Sequence, residues 1–105
     1  MIRCAVIALA LGLSSGASWS WGDTRDSGSI LAWGDNANGQ CNVPAPNMGF
    51  LAADGGGAHT LGLKEDGSIL AWGDNEWGQC NVPSPNAGFI AVAAGNSHSL
   101  GLKDD

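Results

Sequence analysis

Gly28–Asn36 reads Gly-Ser-Ile-Leu-Ala-Trp-Gly-Asp-Asn, and the same nine residues return unchanged as Gly67–Asn75. The match extends without a gap over Gly28–Asp66 and Gly67–Asp105, at an offset of 39 residues, with 27 of the 39 positions identical. A fixed period of this length is typical of solenoids and propellers, in which one unit cannot bury its own apolar face and must stack on its neighbours. The repeat therefore predicts an architecture built from two equivalent units.

Each repeat contains short apolar stretches of period two, separated by turn residues, which is the pattern of an all-β fold. The predicted strands fall at equivalent positions in the two repeats: Ile30–Trp33 and Ile69–Trp72, Phe50–Ala53 and Phe89–Ala94, His59–Lys64 and His98–Lys103. The Asp-Asn-x-x-Gly-Gln segments predict turns. Val-Pro-x-Pro-Asn predicts an extended connection, because proline cannot donate to a β-ladder. In the last strand, Gly101 is expected to let another backbone come close.

One stretch carries a family resemblance. Residues Gly56–Gln79 follow the pattern Gly-x-x-His-[Ser/Thr]-Leu-x-Leu-Lys-x-Asp-Gly-x-[Ile/Val]-x-x-Trp-Gly-x-Asn-x-x-Gly-Gln. This pattern resembles the regulator-of-chromosome-condensation repeat. The Asn-Val-Pro continuation resembles the bacterial branch, similar to a secreted propeller that inhibits β-lactamases. The resemblance covers Gly28–Asp105 and implies a β-propeller whose loops bind partners. It implies a blade-building role for His59 and His98, and no catalytic one.

The number of repeats departs from this family pattern. Two repeats cannot close a propeller, which needs roughly four to eight blades. The repeats begin with the Ser-Ile-Leu-Ala-Trp strand and stop at Lys103-Asp104-Asp105, just before the next such strand is due. Either the chain is a truncated or partial propeller, or several chains form a ring in which the first strand of one copy completes the last blade of another.

Residues 1–17 are predicted to be an export signal, which implies a secreted or periplasmic location. Arg3 gives a positive start, Cys4–Leu13 is apolar, and Ser15-Gly16-Ala17 supplies small residues for cleavage. The apolar run is shorter than the roughly 20 residues that a membrane-spanning helix requires. The alternative for this segment is an apolar first strand of the fold. Residues 18–27 are a polar lead-in, either a linker or a decayed fragment of a blade.

Charge and composition exclude several classes of function. Ten acidic residues against four basic ones give a net charge of −6, which disfavours nucleic acid as a partner because an acidic surface repels phosphate backbones. His59 and His98 have no nucleophile and carboxylate beside them in sequence. The segment Asp35–Gly39 lacks the alternating ligands and the closing glutamate of a calcium loop. We therefore expect no enzymatic activity, no cofactor and no metal.

The repeats contribute one cysteine each, Cys41 and Cys80, at equivalent positions. Equivalent atoms of adjacent blades are expected to lie farther apart than the roughly 7 Å between Cα atoms that a disulfide tolerates. We therefore expect no bridge between these two residues.

Glu76 and Trp77 form the candidate contact site for a partner. Trp77 replaces Asn38 of the first repeat and lies in a predicted turn, and aromatic residues on loops are frequent anchors of protein interfaces. The alternative is a tryptophan folded over a neighbouring blade. The predicted function is a non-enzymatic binding module of the propeller type, with an unknown protein or another copy of the chain as its partner. A vestigial or purely structural fragment, and an inhibitor or lectin-like binder, are the alternatives.

Overall fold

The computed structural model describes the backbone of residues 5–10 and the full structure of residues 27–105. These residues form seven strands: β1 (Ala5–Ala10), β2 (Gly28–Trp33), β3 (Phe50–Gly55), β4 (His59–Lys64), β5 (Ile69–Gly73), β6 (Phe89–Ala94) and β7 (Ser99–Lys103). All six strands predicted within the repeats are present, and their ends shift by at most two residues. The described ranges contain only strands, turns and irregular segments, which confirms the all-β prediction. They accordingly hold no helix of the length and hydrophobicity needed to cross a membrane.

The strands form blades that cross the boundary between the two repeats. Strands β1 to β5 form one antiparallel sheet in chain order, and β6 and β7 form a second sheet. Strand β5 pairs with β4 along its length, with Trp72 opposite Thr60, whereas β2 meets β3 only at Gly28 and Phe50. A blade is therefore made of β3, β4 and β5, the last of which belongs to the next repeat. Strands β6 and β7 reproduce the β3–β4 pair, including its register shift.

Strand β1 pairs with β2 at the position where a β4-type strand pairs with β5. It pairs antiparallel with β2 from Ala5 opposite Trp33 to Ala10 opposite Gly28, and it also lies beside β3. Strand β4 pairs with β5 in the same antiparallel orientation, because Trp72, the equivalent of Trp33, lies opposite Thr60 of β4. Strand β1 thus lies where the β4-type strand of a preceding blade would lie.

The position of β1 corresponds to the alternative considered for this segment, an apolar first strand. A paired strand in the full chain does not test removal by a signal peptidase, so the export signal over residues 1–17 and the resulting location stay predictions. Residues 1–4 and 11–17 of that signal lie outside the described residues. So do residues 18–26 of the predicted lead-in.

The core lies between blades and draws on both repeats. One cluster contains Ile30, Phe50 and Trp72, and the other contains Leu61, Leu63, Ile69 and Phe89. The rings of Phe50 and Trp72 have centroids 6.4 Å apart and are tilted by 58°, a favourable arrangement for an aromatic pair. Because these two rings come from different repeats, a single repeat cannot build this core.

Two equivalent glycines give space to aromatic rings. A Cβ atom on Gly101 would lie 2.6 Å from Cε1 of Phe89, and one on Gly62 would lie 2.5 Å from Cε1 of Phe50. The prediction that another backbone comes close at Gly101 is therefore wrong, because the nearest atoms belong to the phenylalanine of the neighbouring strand. The absence of a side chain lets that ring cross over β7 toward the core.

An asparagine at the end of each Val-Pro-x-Pro-Asn connection fixes that connection to a strand. The side chain of Asn47 accepts from the amide of Ile30 at 2.8 Å and donates to its carbonyl at 2.7 Å. Asn86 makes the same two bonds to Ile69, both at 2.8 Å. The side-chain amide thus satisfies backbone groups that a neighbouring strand would otherwise satisfy, which lets the proline-rich connection run along β2 and β5 without pairing as a strand.

Candidate interaction surface

The turn that carries the predicted contact residues is held by its own polar side chains. Oδ1 of Asn75 accepts from the amide of Cys80 at 2.8 Å, and Oε1 of Gln79 accepts from the amide of Trp77 at 2.8 Å. Oδ1 of Asp74 accepts from the amide of Glu76 at 3.0 Å. The first repeat makes the same three bonds with its equivalent residues. The asparagine, glutamine and aspartate side chains therefore have a structural role, in agreement with the turn interpretation.

Trp77 projects from this turn and is 71% exposed. Its neighbour Glu76 is exposed as well. The ring lies at the rim of a cavity, and the blades of the described residues leave most of it uncovered. The turn therefore presents an aromatic side chain on a rigid backbone, and the role of Glu76 and Trp77 in binding a partner stays a prediction.

The cavity beside Trp77 has a volume of about 400 Å³ and opens between the second turn and β7. Its walls include the residues Gln79, Val82, Phe89, Ser99 and Gly101. Among the described residues, the outer edge of β7 pairs with no strand. The cavity thus lies beside an open strand edge, and of these five wall residues the sequence pattern pointed only to Gly101.

The equivalent space in the first blade is filled by Trp72. Its Nε1–H donates to the carbonyl of Gln40 at 2.9 Å, and the hydroxyl of Thr60 donates to the same carbonyl at 2.8 Å. In the second blade, the carbonyl of Gln79 accepts from the hydroxyl of Ser99 at 2.8 Å, and within residues 27–105 no indole reaches it. A carbonyl oxygen has two lone pairs, so this oxygen has the capacity for a second donor.

Two leucines of β7 extend the apolar surface next to the cavity. Leu100 and Leu102 are 60% and 59% exposed, whereas their equivalents on β4, Leu61 and Leu63, are 1% and 2% exposed. The difference arises because β6 lies against β4, while no described strand covers β7 in this way. We call the cavity, Trp77, Leu100 and Leu102 together the open-blade surface. Contiguous exposed apolar surface of this kind is typical of interaction sites.

His59 links the two blades through its side chain. The side chain is buried, and its Nε2 lies 2.9 Å from Oγ of Ser99, whose hydroxyl donates to the carbonyl of Gln79. Because that hydroxyl proton is already used, Nε2–H is the donor in the first bond. Burial lowers the pKa of His59, and the backbone of His98 and the carboxylates of Asp74 and Asp54 oppose this shift only in part. The imidazole is therefore a neutral structural group.

The lowered pKa of His59 makes stability depend on pH. The unfolded chain binds a proton at the ordinary pKa near 6.5, while the folded chain resists protonation, so the free energy of unfolding should fall as pH drops below about 6.5. Urea unfolding between pH 7.5 and 5.5 measures this slope. His59→Gln should flatten the slope, and His98→Gln, at the exposed equivalent position, should retain most of it, because burial, the main cause of the lowered pKa of His59, is unchanged and only the repulsion from His98 is removed. An unchanged slope in His59→Gln would contradict the assignment.

Cys80 is a half-buried free thiol. This confirms that Cys41 and Cys80 do not form a disulfide with each other. Burial, with a smaller effect of the Asp74 carboxylate, raises the pKa of Cys80. Because the thiolate is the nucleophilic form, this residue is poorly reactive near neutral pH. Across the described residues, no group of three histidine, cysteine or acidic side chains is arranged to hold a metal ion.

The comparison with protein families agrees with this geometry. Residues 52–79 match the family model of the regulator of chromosome condensation (RCC1) repeat. The matched segment contains most of β3, all of β4 and β5, and the second turn up to Gln79. The match supports an RCC1-type repeat, and together with the sheet topology it supports a partial propeller made of such blades. No curated protein matches the chain.

Proposed function

We propose that the chain is a protein-binding module that works without catalysis and recognises an extended protein segment at the open-blade surface. The single observation that carries the proposal is the coincidence of a cavity of about 400 Å³, an edge of β7 that pairs with no described strand, and the exposed ring of Trp77. Each of these features alone is common on proteins. Together they provide the elements of a site for a strand-like ligand.

At such a site, the backbone and the side chains contribute different interactions to binding. An open strand edge offers a row of N–H and C=O groups to any extended segment. The cavity then selects among segments, since only a side chain that fills it gains the apolar contact. Trp77 adds a rigid aromatic contact at the rim, and the exposed Glu76 favours a partner that carries a basic residue nearby.

The other predicted properties fit this proposal. An exported location gives the module an extracellular or periplasmic protein as its partner, and the likeness to the bacterial branch of the family supports the same environment. Inhibition of an enzyme is one form that such binding takes. The non-catalytic role is supported by the polar side chains of both turns, which are engaged with their own backbones.

Selection of random peptides displayed on phage against the immobilised full chain tests the proposal. We expect enriched peptides that combine alternating apolar residues with one aromatic residue. Trp77→Ala should weaken their binding by about tenfold, which corresponds to 1.4 kcal/mol. The matched control is Asn38→Ala, at the equivalent position of the first turn, which should leave the binding unchanged. A selection that enriches no peptide, or peptides indifferent to Trp77→Ala, would contradict the proposal.

A further inference from the structure

We infer that the occupant of the open-blade surface is β2 of a second copy of this chain, with the indole of Trp33 inserted into the cavity. This inference rests on the proposed function, from which it uses the cavity and the edge of β7 but not the ring of Trp77, and it names a partner for that part of the surface. Strand β2 and the turn after it have the same residues, Gly28–Asn36, as the segment Gly67–Asn75 that contains β5. Since β5 completes the β3–β4 pair, β2 has the residues required to complete the equivalent β6–β7 pair.

The first blade also gives the register of the docked strand. Trp72 lies opposite Thr60, and Leu70 lies opposite Gly62. When each of these residues is replaced by its equivalent in the other repeat, Trp33 of the second copy lies opposite Ser99. Leu31 of that copy lies opposite Gly101. Both incoming side chains are available in part, because Trp33 is 49% exposed and Leu31 is 55% exposed.

The cavity already has the groups that hold an indole. In the first blade, Trp72 donates to the Gln40 carbonyl and packs on Phe50, and a Cβ on Gly62 would lie 3.4 Å from its Cζ3. The equivalents of these three groups are Gln79, Phe89 and Gly101, and all of them line the cavity. The indole N–H of Trp33 therefore finds the equivalent carbonyl acceptor, and its ring finds equivalent apolar walls.

Contacts beyond the strand repeat in the same way. The amide of Asp74 donates to the carbonyl of Ala58 at 2.9 Å, immediately after β5. In the docked copy, Asp35 follows β2 and Ser97 precedes β7, so the amide of Asp35 donates to the carbonyl of Ser97. The blade of the second copy then covers Leu100 and Leu102 in the way that β6 covers β4.

Strand β1 competes with this association. It pairs antiparallel with β2, as β7 of another copy would, so the edge of β2 is already occupied in the full chain. Copies associate only when β1 leaves β2. Removal of residues 1–17, as predicted for the export signal, releases that edge.

A peptide experiment tests the docking with the full chain and bypasses β1. The probe is the synthetic nonapeptide Gly-Ser-Ile-Leu-Ala-Trp-Gly-Asp-Asn, titrated into the full chain and followed by calorimetry and by NMR shifts of β7 amides. We expect saturable binding that shifts the amides of Ser99 and Gly101, and binding at least about tenfold weaker for the Trp33→Ala peptide. Absence of binding to a chain with dispersed NMR signals overturns the inference.

Chain variants separate this docking from the contact at Trp77. Trp77→Ala should change nonapeptide binding by less than about threefold. The first blade holds the indole of Trp72 with Asn38 at the position equivalent to Trp77, so an aromatic ring is not required there. If Trp77→Ala abolishes binding, the peptide lies on the turn and the inference is overturned. If the nonapeptide fails while peptides selected by display bind, the inference is overturned and the proposed function stands. If neither binds, the proposed function has failed.

A second experiment opens the edge of β2 within the full chain. The double substitution Val6→Pro and Ile7→Pro removes two consecutive backbone N–H groups of β1. Because successive N–H groups of a strand point to opposite edges, one of the two that are removed faces β2. We expect a discrete oligomer in light scattering coupled to size exclusion, and reversion to the monomer on adding Trp33→Ala. A folded monomer of the double-proline chain would overturn the inference. If that chain does not fold, the peptide titration still decides the question.

Discussion

Replacement of Trp72 by alanine should lower the free energy of unfolding by about 3–5 kcal/mol, whereas the same change at Trp33 should lower it by about 1 kcal/mol or less. The two tryptophans occupy equivalent strand positions, with identical neighbours in sequence. Trp72 is 8% exposed, packs on Phe50 and donates to the Gln40 carbonyl, while Trp33 is 49% exposed. The sequence context is constant, so the difference measures burial between blades.

Urea unfolding followed by far-ultraviolet circular dichroism is the appropriate measurement, because fluorescence would change with the number of tryptophans. Trp72→Phe separates the two contributions at the buried position. It retains most of the apolar ring and loses the indole N–H, so it should cost about 0.5–1.5 kcal/mol, the net contribution of one hydrogen bond, because Thr60 still donates to the Gln40 carbonyl. Equal losses for Trp33→Ala and Trp72→Ala would show that the cavity of the first blade is not filled as described.

The period of the repeat and its alternating apolar residues were sufficient to predict the strands. Gly28–Trp33 and Ile69–Gly73 are short, apolar and bounded by turn residues, and local preferences of this strength survive in the folded chain. The family resemblance added the propeller blade. This reasoning does not extend to how the strands pair within the chain. No local pattern shows that β5, in the second repeat, completes the blade begun by β3 and β4 of the first repeat, because that pairing depends on contacts between repeats.

The site was only partly predictable for the same reason. Trp77 was singled out because it breaks the symmetry of the repeat, and the structure places its ring on the surface. The cavity beside it was missed, because its walls are residues with an ordinary packing role in the first blade. Val82 and Phe89 become accessible walls only where no indole covers them. Comparison of equivalent residues in the two blades, such as Leu61 with Leu100, reveals this surface directly.

Leu61 and Leu100 provide the second large contrast. Leu61→Ala should lower the free energy of unfolding by about 2–5 kcal/mol, since it removes a buried side chain and leaves a space that the surrounding strands fill only in part. Leu100→Ala should change it by about 0.5 kcal/mol or less, because the side chain is 60% exposed on β7. Urea unfolding at low protein concentration measures both values on the monomer.

The same pair reports association when the measurement is repeated at high protein concentration. Binding that occurs only in the folded state adds to stability in proportion to the logarithm of ligand concentration. If a second copy covers Leu100, the cost of Leu100→Ala should rise with protein concentration in the chain whose β1 is disrupted by proline, and it should rise more steeply than the cost of Leu61→Ala, because Leu61 only lines the cavity. A concentration-independent cost at both positions would mean that Leu100 stays exposed to solvent, and that the apolar face of β7 is not where copies of the chain meet.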